Sequence, residues 1–342
     1  MRDQPQPTAV ALLSGGLDST LAAKLVLDQG VRVIGVNFAG AYCPRPLQGK
    51  SNAEKAAAQL GIELVTLPID QEFIEMVKSP KHGRGRNMNP CIDCHILMVR
   101  KAWEYGQTRG AQFIITGEVL GQRPMSQNRQ ALELVARESG TKGRLVRPLS
   151  AKLLDETLPE RQGLLDRHRL SDIQGRMRKR QIVLAVFYRI KDYPTPAGGC
   201  LLTEPVFSSR LLDAFAHGED SVPIVELLGL GRHFRLRSGA RVVIGRDQKE
   251  NAALAQRASA GALVIDATHI PGPLCLLIPV VPNPTAELGH VPVSDEDVGA
   301  AARLCAAFSD RRRQKQVRVQ VNGQDLEVNP ATQDEIAAWR ID

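Results

Sequence analysis

The stretch A-L-L-S-G-G-L-D-S-T, Ala11 to Thr20, runs from apolar residues typical of a buried strand into a turn with two consecutive glycines. Gly15 and Gly16 free the backbone to turn sharply, so that several N–H groups can point to one place. The helix expected after the turn adds the positive end of its dipole. Three polar side chains accompany the glycines: Ser14, Asp18 and Ser19. The stretch therefore predicts a phosphate-binding turn, and the alternative is an ordinary strand–helix connection.

Short β-branched runs alternate with alanine- and leucine-rich stretches beyond this turn. Strands are predicted at residues 9–13, 32–38, 63–69 and 112–119, and helices at 19–30, 52–61 and 94–110. Such alternation is typical of a Rossmann-like α/β fold, a doubly wound parallel sheet with helices on both faces. Ligands of such sheets bind at the carboxyl ends of the strands. The glycine turn, the region at Phe38 and the segment T-G-E-V-L-G-Q (Thr116–Gln122) lie at such ends, so we expect one crevice.

The composition is that of an ordinary globular protein. The chain has 342 residues, of which 43% are hydrophobic and 24% charged. The longest apolar run, Leu274 to Val281, contains Pro279 and is too short to span a bilayer. The first residues, M-R-D-Q-P-Q-P-T, contain no apolar leader. We therefore expect a cytoplasmic protein that is not bound to a membrane.

Positive charge is concentrated in three clusters. The formal net charge is +7 and the isoelectric point is about 9.2. The clusters lie at Lys81–Arg86, Arg176–Arg180 and Arg311–Lys315. Clustered charge of this kind favours a polyanionic partner, and the alternative is a solvated surface. The candidate RNA-binding residues of the second cluster are Arg176, Arg178, Lys179 and Arg180.

A domain boundary is predicted in the Pro- and Gly-rich segment Tyr193–Pro205. We expect a first domain at residues 1–204 and a smaller α+β domain at residues 205–342. The smaller domain contains two predicted hairpins, which turn at Ser238-Gly239 and at Asn322-Gly323. A helix capped by Ser294 is predicted between them.

The glycine turn is neither a Walker A loop nor a dinucleotide fingerprint, but S-G-G-L-D-S resembles the pyrophosphate loop of the PP-loop ATP pyrophosphatases. The segment Ile115–Leu134 and the following R-P-L…K are similar to the tRNA 4-thiouridine synthetases of the ThiI type. The resemblance implies ATP and Mg²⁺ as cofactors, with Asp18 among the catalytic residues. It implies that ATP is bound by Ser14, Gly15, Gly16, Asp18, Ser19, Phe38, Gly117, Glu118 and Lys152. For Lys152, the alternative is an ordinary surface lysine.

Two cysteines stand in N-M-N-P-C-I-D-C-H, which resembles a segment of the MnmA-type 2-thiouridylases, with Cys94 at the position of their catalytic cysteine. Cys91 stands where that pattern has Asp, which makes a C-x-x-C and a second catalytic candidate. The pair can be half of a structural zinc site or a persulfide carrier. With Cys200, it can also hold a [4Fe–4S] cluster, in an arrangement similar to the cluster-dependent tRNA thiolases. His95 is expected either to donate a proton or to lie at the surface as a helix-start residue.

Three segments of the second domain, at residues 241–254, 266–277 and 301–321, resemble the signatures of the NFACT-R domain. The positions carried over are Gly245, Arg246, Asn251, Pro271, Gly272, Ser309 and Arg311. The resemblance implies RNA binding, with Arg246, Arg311, Arg312 and Arg313 as candidate contacts.

The sequence thus predicts an ATP-dependent tRNA sulfurtransferase that adenylates a uridine carbonyl oxygen and replaces it with sulfur, giving 4-thiouridine. The expected partners are tRNA and a sulfur donor, either the persulfide of a cysteine desulfurase or free sulfide. The alternatives are another PP-loop reaction, such as 2-thiolation or amidation, and a non-catalytic RNA-binding factor associated with tRNA or ribosomes. The oligomeric state is left open, a homodimer included.

Overall fold

A computed structural model describes residues 6–43, 49–194, 200–258, 262–267, 272–280 and 293–341. The chain divides into two compact units, Met1–Gly199 and Cys200–Asp342, a few residues before the boundary expected at residue 204. None of the described helices is both long and apolar enough to cross a membrane.

The first unit alternates strands and helices along the chain. Its elements are β1 (Thr8–Leu12), α1 (Leu17–Leu27), β2 (Arg32–Ala39), α2 (Asn52–Leu60), β3 (Glu63–Pro68), α3 (Gln71–Lys78), α4 (Cys91–Thr108), β4 (Phe113–Ile115), α5 (Arg129–Glu138), β5 (Leu145–Val146), α6 (Leu158–Arg161) and α7 (Lys179–Phe187). Two 3-10 turns lie at Ala151–Leu153 and Arg167–Arg169.

The strands of the first unit form a parallel sheet in the order β3-β2-β1-β4-β5. The chain moves outward from β1 to β3 and then returns to the other side of β1 with β4. The strand order therefore reverses between β1 and β4, and ligands of open α/β sheets bind outside the carboxyl ends of the strands at such a point. The predicted doubly wound parallel sheet is confirmed, and the switch point lies between the glycine turn and the T-G-E segment.

Helices cover both faces of this sheet because its strands are apolar on both sides. Ala9 and Ala11 of β1 pack into a core cluster with α1 and with Ala185 of α7. On the opposite face Val10 faces α4, where a Cβ on Gly106 would lie 2.7 Å from the Val10 side chain. This close approach requires glycine at this position, in the last turn of α4.

The second unit is an antiparallel sheet with helices. Its elements are α8 (Pro205–Ala216), α9 (Val222–Leu227), β6 (Arg232–Arg235), β7 (Arg241–Ile244), α10 (Gln248–Arg257), β8 (Leu263–Asp266), β9 (Leu274–Ile278), α11 (Asp295–Ala307), β10 (Val317–Val321), β11 (Gln324–Val328) and α12 (Gln333–Trp339). A further 3-10 turn lies at Leu201–Thr203. The strand order is β11-β10-β8-β9-β7-β6.

Both predicted hairpins are present in this sheet, as β6–β7 and β10–β11. Asn322 and Gly323 both have positive φ, as a two-residue type I′ turn requires. The Ser294 hydroxyl accepts a hydrogen bond from the Asp297 N–H at 3.1 Å, which confirms the predicted helix cap. Along β9, Cys275 and Leu277 pack in the cluster that contains α11, and Leu276 packs with Leu254 of α10.

Several element boundaries differ from the sequence prediction, and two of them affect the site. Strand β4 ends at Ile115, well before residue 119, because the chain turns at Gly117 toward α1. Helix α4 begins at Cys91, three residues before the predicted start, so that both cysteines belong to its first turn.

Candidate active site

The turn after β1 is a tight cradle at the start of α1. Gly15 has φ +76°, and a Cβ there would lie 2.1 Å from the carbonyl carbon of Asn52, at the start of α2. The N-cap residue of α1 is Gly16, which has no side chain to cap the helix, so the first N–H groups can bind a ligand. The Ser14 and Ser19 hydroxyls lie 3.1 Å apart, and the Ser19 hydroxyl donates to the Gly16 carbonyl at 3.0 Å. These features suit an anion at the helix N-terminus.

Asp18 presents a carboxylate at the edge of this turn. Its Oδ2 accepts a hydrogen bond from Gln122 Nε2 at 3.0 Å. Its Oδ1 is buried and has no hydrogen-bond partner among the described residues. A carboxylate oxygen in this state fits a cation such as Mg²⁺, which prefers oxygen ligands. Asp18 is therefore the residue of this turn that could hold the expected metal ion.

Gly117 brings the end of β4 directly against the glycine turn. A Cβ at this position would lie 2.4 Å from the Ser19 nitrogen and 2.7 Å from the Asp18 carbonyl carbon. Any larger residue would therefore push the two segments apart. The two sequence motifs that predicted the crevice are in backbone contact.

Glu118 is a buried carboxylate surrounded by donors. Oε2 accepts from Arg147 Nε at 2.8 Å and from the Thr116 hydroxyl at 3.0 Å, while Oε1 lies 2.9 Å from His95 Nδ1. Burial by itself would raise the pKa of Glu118, but the Arg147 charge and the His95 contact outweigh it and hold the pKa well below its usual value. An ionised Glu118 thereby fixes the imidazole of His95 in place.

The two cysteines lie one helical turn apart at the start of α4, both half-buried. The Cys91 thiol donates to the Ser126 hydroxyl at 3.4 Å. Between them Asp93 is buried, and its Oδ2 accepts from the His82 N–H at 3.0 Å. His95 follows on the same helix, and its contact with Glu118 corrects the expectation of a surface or capping residue. The first turn of α4 is thus attached to the end of β4.

No three His, Cys, Asp or Glu side chains of the described ranges are grouped so that they could hold a metal ion. The first unit supplies two thiols, and Cys200, the remaining candidate ligand, is the first residue of the second unit. The [4Fe–4S] cluster, the persulfide carrier and the zinc half-site all stay predictions.

Two residues expected beside ATP have other surroundings. Phe38 lies within β2, buried, with its ring centroid 5.5 Å from that of Phe73. Only its backbone is near the end of the strand, so the ring belongs to the core. Lys152 lies exposed in the 3-10 turn that follows β5, and its positive charge lowers the pKa of Asp172 as a minor cause after the Arg180 hydrogen bond.

The basic residues at the start of α7 differ in how far they can reach a ligand. Arg176 and Lys179 are exposed. Arg180 pairs with Asp172, so its charge is partly compensated. Arg178 is half-buried, and its Nε has no partner in the part of the chain that the structure describes.

In the second unit, several residues that stand at positions of the RNA-binding signatures contact one another. Asn251 Oδ1 accepts from the Leu274 N–H at 3.0 Å, and its Nδ2 donates to the Gly272 carbonyl at 3.2 Å. A Cβ on Gly245 would collide with this Asn251 side chain. Ser309 is buried and donates to the Ala306 carbonyl at 2.8 Å. These residues join the strands to the helices, and Pro271 lies outside the described residues.

The arginines of the second unit provide the exposed charge. Arg311, Arg312 and Arg313 are exposed between α11 and β10, and they form no ion pair with any residue of the described ranges. Arg246 is engaged by Glu250. Arg232, which sequence reasoning missed, stacks 4.8 Å over the ring of Phe308.

Gln122 and Ser126 are the functional-site residues that sequence reasoning did not select. Both lie inside the segment that resembles the ThiI type, but neither is charged, and their importance comes from partners far away in sequence. Gln122 reaches Asp18, 104 residues away, and Ser126 reaches Cys91. Only the folded arrangement shows these contacts.

Comparison with known families agrees with this geometry. Residues 5–153 match the family model described as thiamine biosynthesis protein (ThiI). Residues 231–340 match the model of the NFACT protein RNA binding domain. The first match contains the glycine turn, the cysteine pair and the T-G-E segment, and the second contains the arginines of the second unit.

Curated relatives are tRNA-thiolating enzymes by name. A tRNA-specific 2-thiouridylase MnmA of Syntrophotalea carbinolica is 33% identical over 34% of this chain and 36% of the relative. A probable tRNA sulfurtransferase of Methanosarcina mazei is 34% identical over 34% of this chain and 29% of the relative. A MnmA of Pediococcus pentosaceus is 23% identical over 73% of this chain and 71% of the relative.

The chain therefore spans about a third of the length of the first two relatives. Among solved structures, a 4-thiouridine synthetase–RNA complex with bound ATP aligns at 21% identity over 54% of this chain and 52% of that chain, with a TM-score of 0.32, a level that supports no further conclusion. The chain combines a segment of the ThiI type with a segment of the NFACT RNA-binding type, as its motifs predicted.

Proposed function

We propose that this protein is an ATP-dependent tRNA sulfurtransferase, forming AMP and pyrophosphate. The observation that carries the proposal is the chain of contacts joining the glycine turn to the cysteine pair. Asp18 contacts Gln122, Ser126 of the same segment contacts Cys91, and Glu118 beside it contacts His95. In this proposal, the site for nucleotide phosphates and the site for sulfur chemistry share one crevice.

The chemistry explains why both halves are needed. A uracil carbonyl oxygen is a poor leaving group, and transfer of AMP from ATP to that oxygen turns it into a good one. The uncapped start of α1 and the hydroxyls of Ser14 and Ser19 suit the pyrophosphate that is displaced. A sulfur nucleophile then attacks the activated carbon and AMP departs. Cys91 and Cys94 are placed to supply or relay this sulfur, since both lie in the first turn of α4, where the helix dipole favours an anion.

We propose 4-thiouridine as the product, because the matching family model over residues 5–153 is of the ThiI type. A 2-thiouridine product is the second candidate, and the names of the MnmA relatives favour it. The two products differ in which carbonyl of the same ring reacts, so the same adenylation chemistry serves both.

The second unit supplies the tRNA contact in this proposal. Arg311, Arg312 and Arg313 present three positive charges without ion-pair partners among the described residues, as phosphate contacts require. The basic residues at the start of α7, in the first unit, are a separate candidate for phosphate contacts. A tRNA-modifying enzyme meets its substrate in the cytoplasm, and its sulfur comes from a desulfurase persulfide or from free sulfide. A homodimer is compatible with this reaction and is not required by it.

The test is mass spectrometry of tRNA nucleosides from cells that lack the gene. Loss of 4-thiouridine, or of 2-thiouridine, identifies the product, and plasmid-borne wild type should restore it. Cys91→Ser and Cys94→Ser should fail to restore it, whereas Cys305→Ala, which changes a buried cysteine in the core of the second unit, should restore it. An unchanged thionucleoside profile would instead support amidation or a non-catalytic RNA-binding role.

A further inference from the structure

The start of helix α7 leaves hydrogen-bonding groups unsatisfied inside the first unit. Gln181 is fully buried, and neither its amide nitrogen nor its amide oxygen has a hydrogen-bond partner among the described residues. The Nε of Arg178 is also buried, and it too has no partner in those ranges. Buried polar groups are nearly always hydrogen-bonded, because an unsatisfied one costs free energy. The two residues therefore indicate that a polar partner binds at this place.

The two side chains lie on the face of α7 that is directed toward α1. Gln181 is three residues after Arg178 and four residues before Ala185, so the three side chains form one stripe along the helix. Ala185 packs in the core cluster that contains Leu17 and Leu21 of α1. The unsatisfied groups therefore face α1. Because side chains on a helix point back toward its N-terminus, the Gln181 amide is directed to the start of α7.

Helix α7 runs beside α1 in the same direction. Just before α7, the Gly175 N–H donates to the Leu120 carbonyl at 2.7 Å, in the segment that follows the carboxyl end of β4. Helix α1 starts at the same edge of the sheet, after the adjacent strand β1. Just after α7, the ring centroid of Tyr188 lies 5.6 Å from Nζ of Lys24, in the last turn of α1. The first turn of α7 is therefore level with the first turn of α1, beside the glycine turn.

Helix α2 supports the same arrangement. It begins at Asn52, where the backbone meets Gly15 of the glycine turn. Near its end, the Gln59 side chain accepts hydrogen bonds from the N–H groups of Lys191 and Asp192, which follow α7, at 3.0 and 3.2 Å. The helices α1, α2 and α7 thus all begin on the side of the glycine turn, and the positive ends of their dipoles point to that side.

We propose that the start of α7 is a second phosphate-binding element of the nucleotide site, with Arg178 as a phosphate ligand and Gln181 as a positioning residue. The inference rests on the proposed function, because it takes the ligand of the glycine turn to be ATP. The amide oxygen of Gln181 can accept from the Arg178 Nε–H, one helical turn away on the same face. This contact directs the two outer guanidinium nitrogens to the β- and γ-phosphates.

The other basic residues of this cluster have different surroundings. Arg176 and Lys179 are exposed, and Arg180 pairs with Asp172. Arg178 is half-buried, and it forms no ion pair with any residue in the described part of the chain. Its position on the α1 side favours a nucleotide phosphate over a phosphate of the tRNA backbone, which the exposed residues can reach. The cluster is therefore divided between two ligands.

Equilibrium dialysis of the full-length chain tests the proposal, with AMP and the magnesium complex of a non-hydrolysable ATP analogue as probes. Arg178→Gln should weaken binding of the analogue about tenfold, the factor given by loss of one hydrogen bond to a charged group. Its affinity for AMP should be unchanged, because AMP has no β- or γ-phosphate. Arg189→Gln is the matched control, since Arg189 is exposed at the other end of α7, and it should bind both probes as the wild type does.

Gln181→Met tests the positioning role, because methionine has a similar length but no amide. The variant should bind the analogue about threefold more weakly, although its free energy of unfolding should not fall, since a buried unsatisfied group is removed. The double variant with Arg178→Gln should bind no more weakly than Arg178→Gln alone, because Gln181 acts through Arg178. Additive losses, or a less stable Gln181→Met with unchanged affinity, would overturn the positioning role.

The wild type separates the two levels of the proposal. Absence of analogue binding to the wild type would refute the proposed function, and the inference with it. Normal binding to the wild type with unchanged affinity in Arg178→Gln would refute the inference alone. If Arg178→Gln instead weakened only the binding of labelled tRNA, measured by fluorescence anisotropy, Arg178 would be an RNA ligand and the phosphate-binding role in the nucleotide site would be wrong.

Discussion

Gly117 and Ser19 are in backbone contact, so close that a Cβ on Gly117 would lie 2.4 Å from the Ser19 nitrogen. The two residues come from motifs about a hundred positions apart, at the ends of the adjacent strands β4 and β1. The contact fixes the position of Glu118 relative to the start of α1. The glycine turn and the Glu118 side chain, which contacts His95 of α4, are therefore fixed relative to each other.

Replacement of Gly117 by Ala should disturb this contact and destabilise the protein. The added Cβ meets backbone atoms of Asp18 and Ser19, which cannot rotate away, so we expect a loss of at least about 1–3 kcal/mol in the free energy of unfolding. Nucleotide affinity should fall as well. Chemical denaturation and equilibrium dialysis measure the two effects. Gly85→Ala is the control, because its Cβ would lie 3.6 Å from the nearest atom, an ordinary contact. If the two variants had the same free energy of unfolding and the same nucleotide affinity, the contact between Gly117 and Ser19 would not be important for either.

Replacement of Glu118 by Gln tests the buried charge. Breaking its pairs with Arg147 and His95 should lower the free energy of unfolding at neutral pH by about 3–5 kcal/mol. Because the pKa of Glu118 is lowered in the folded state, its stabilisation is present above about pH 4.3, the unfolded pKa, and is lost as the pH falls through the folded pKa. Denaturation between pH 7 and pH 3 should therefore show a shallower loss for the variant than for the wild type.

Glu156→Gln is the matched control for this series. Glu156 forms an exposed pair with Arg161 at 3.9 Å, and pairs of this kind contribute at most about 1 kcal/mol. If Glu118→Gln were no less stable than this control, the charge on Glu118 would not be what holds the first turn of α4.

The sheet of the first unit could be predicted because its strands are short apolar runs and the turn after β1 contains two glycines. The hairpins of the second unit were equally visible, since Asn322-Gly323 and Ser238-Gly239 are strong turn signals. Helix α7 was not predicted, because its outer face carries Val183, Val186 and Phe187 in exposed positions and so lacks a clear amphipathic period.

The site was predicted only in part, and the reason is physical. Charged residues and glycines in motifs are recognisable in one dimension, whereas hydrogen bonds between distant neutral side chains are not. Gln122 and Ser126 were therefore missed, and the expected position of Phe38 beside ATP stays a prediction, with its ring packed on Phe73. The contact of His95 with Glu118 was not foreseen either, and proton donation by His95 stays a prediction.

A triple variant in which Arg311, Arg312 and Arg313 are each replaced by Gln should bind every tRNA tested more weakly, whatever the nucleotide sequence of that tRNA. Removal of one phosphate-binding charge should reduce the slope of log affinity against log salt by about one, so the slope should fall by up to about three. Fluorescence anisotropy with labelled tRNA at several salt concentrations measures this. Arg318→Gln is the control, because Arg318 already pairs with Glu327 and Asp325. An unchanged salt slope in the triple variant would exclude these arginines as phosphate ligands.

Iron analysis separates the [4Fe–4S] cluster from the other roles considered for the cysteines. If Cys91, Cys94 and Cys200 hold a [4Fe–4S] cluster, protein purified without oxygen should contain iron and labile sulfide, and Cys200→Ala should lose both. Cys305→Ala is the control, because Cys305 is buried in the core of the second unit and burial raises its pKa to about 12, which disfavours the thiolate that iron requires. Iron-free wild type that still thiolates tRNA would remove the cluster. The pair in the first turn of α4 would then act as a persulfide carrier, with one thiol holding the sulfur and the other resolving it as a disulfide.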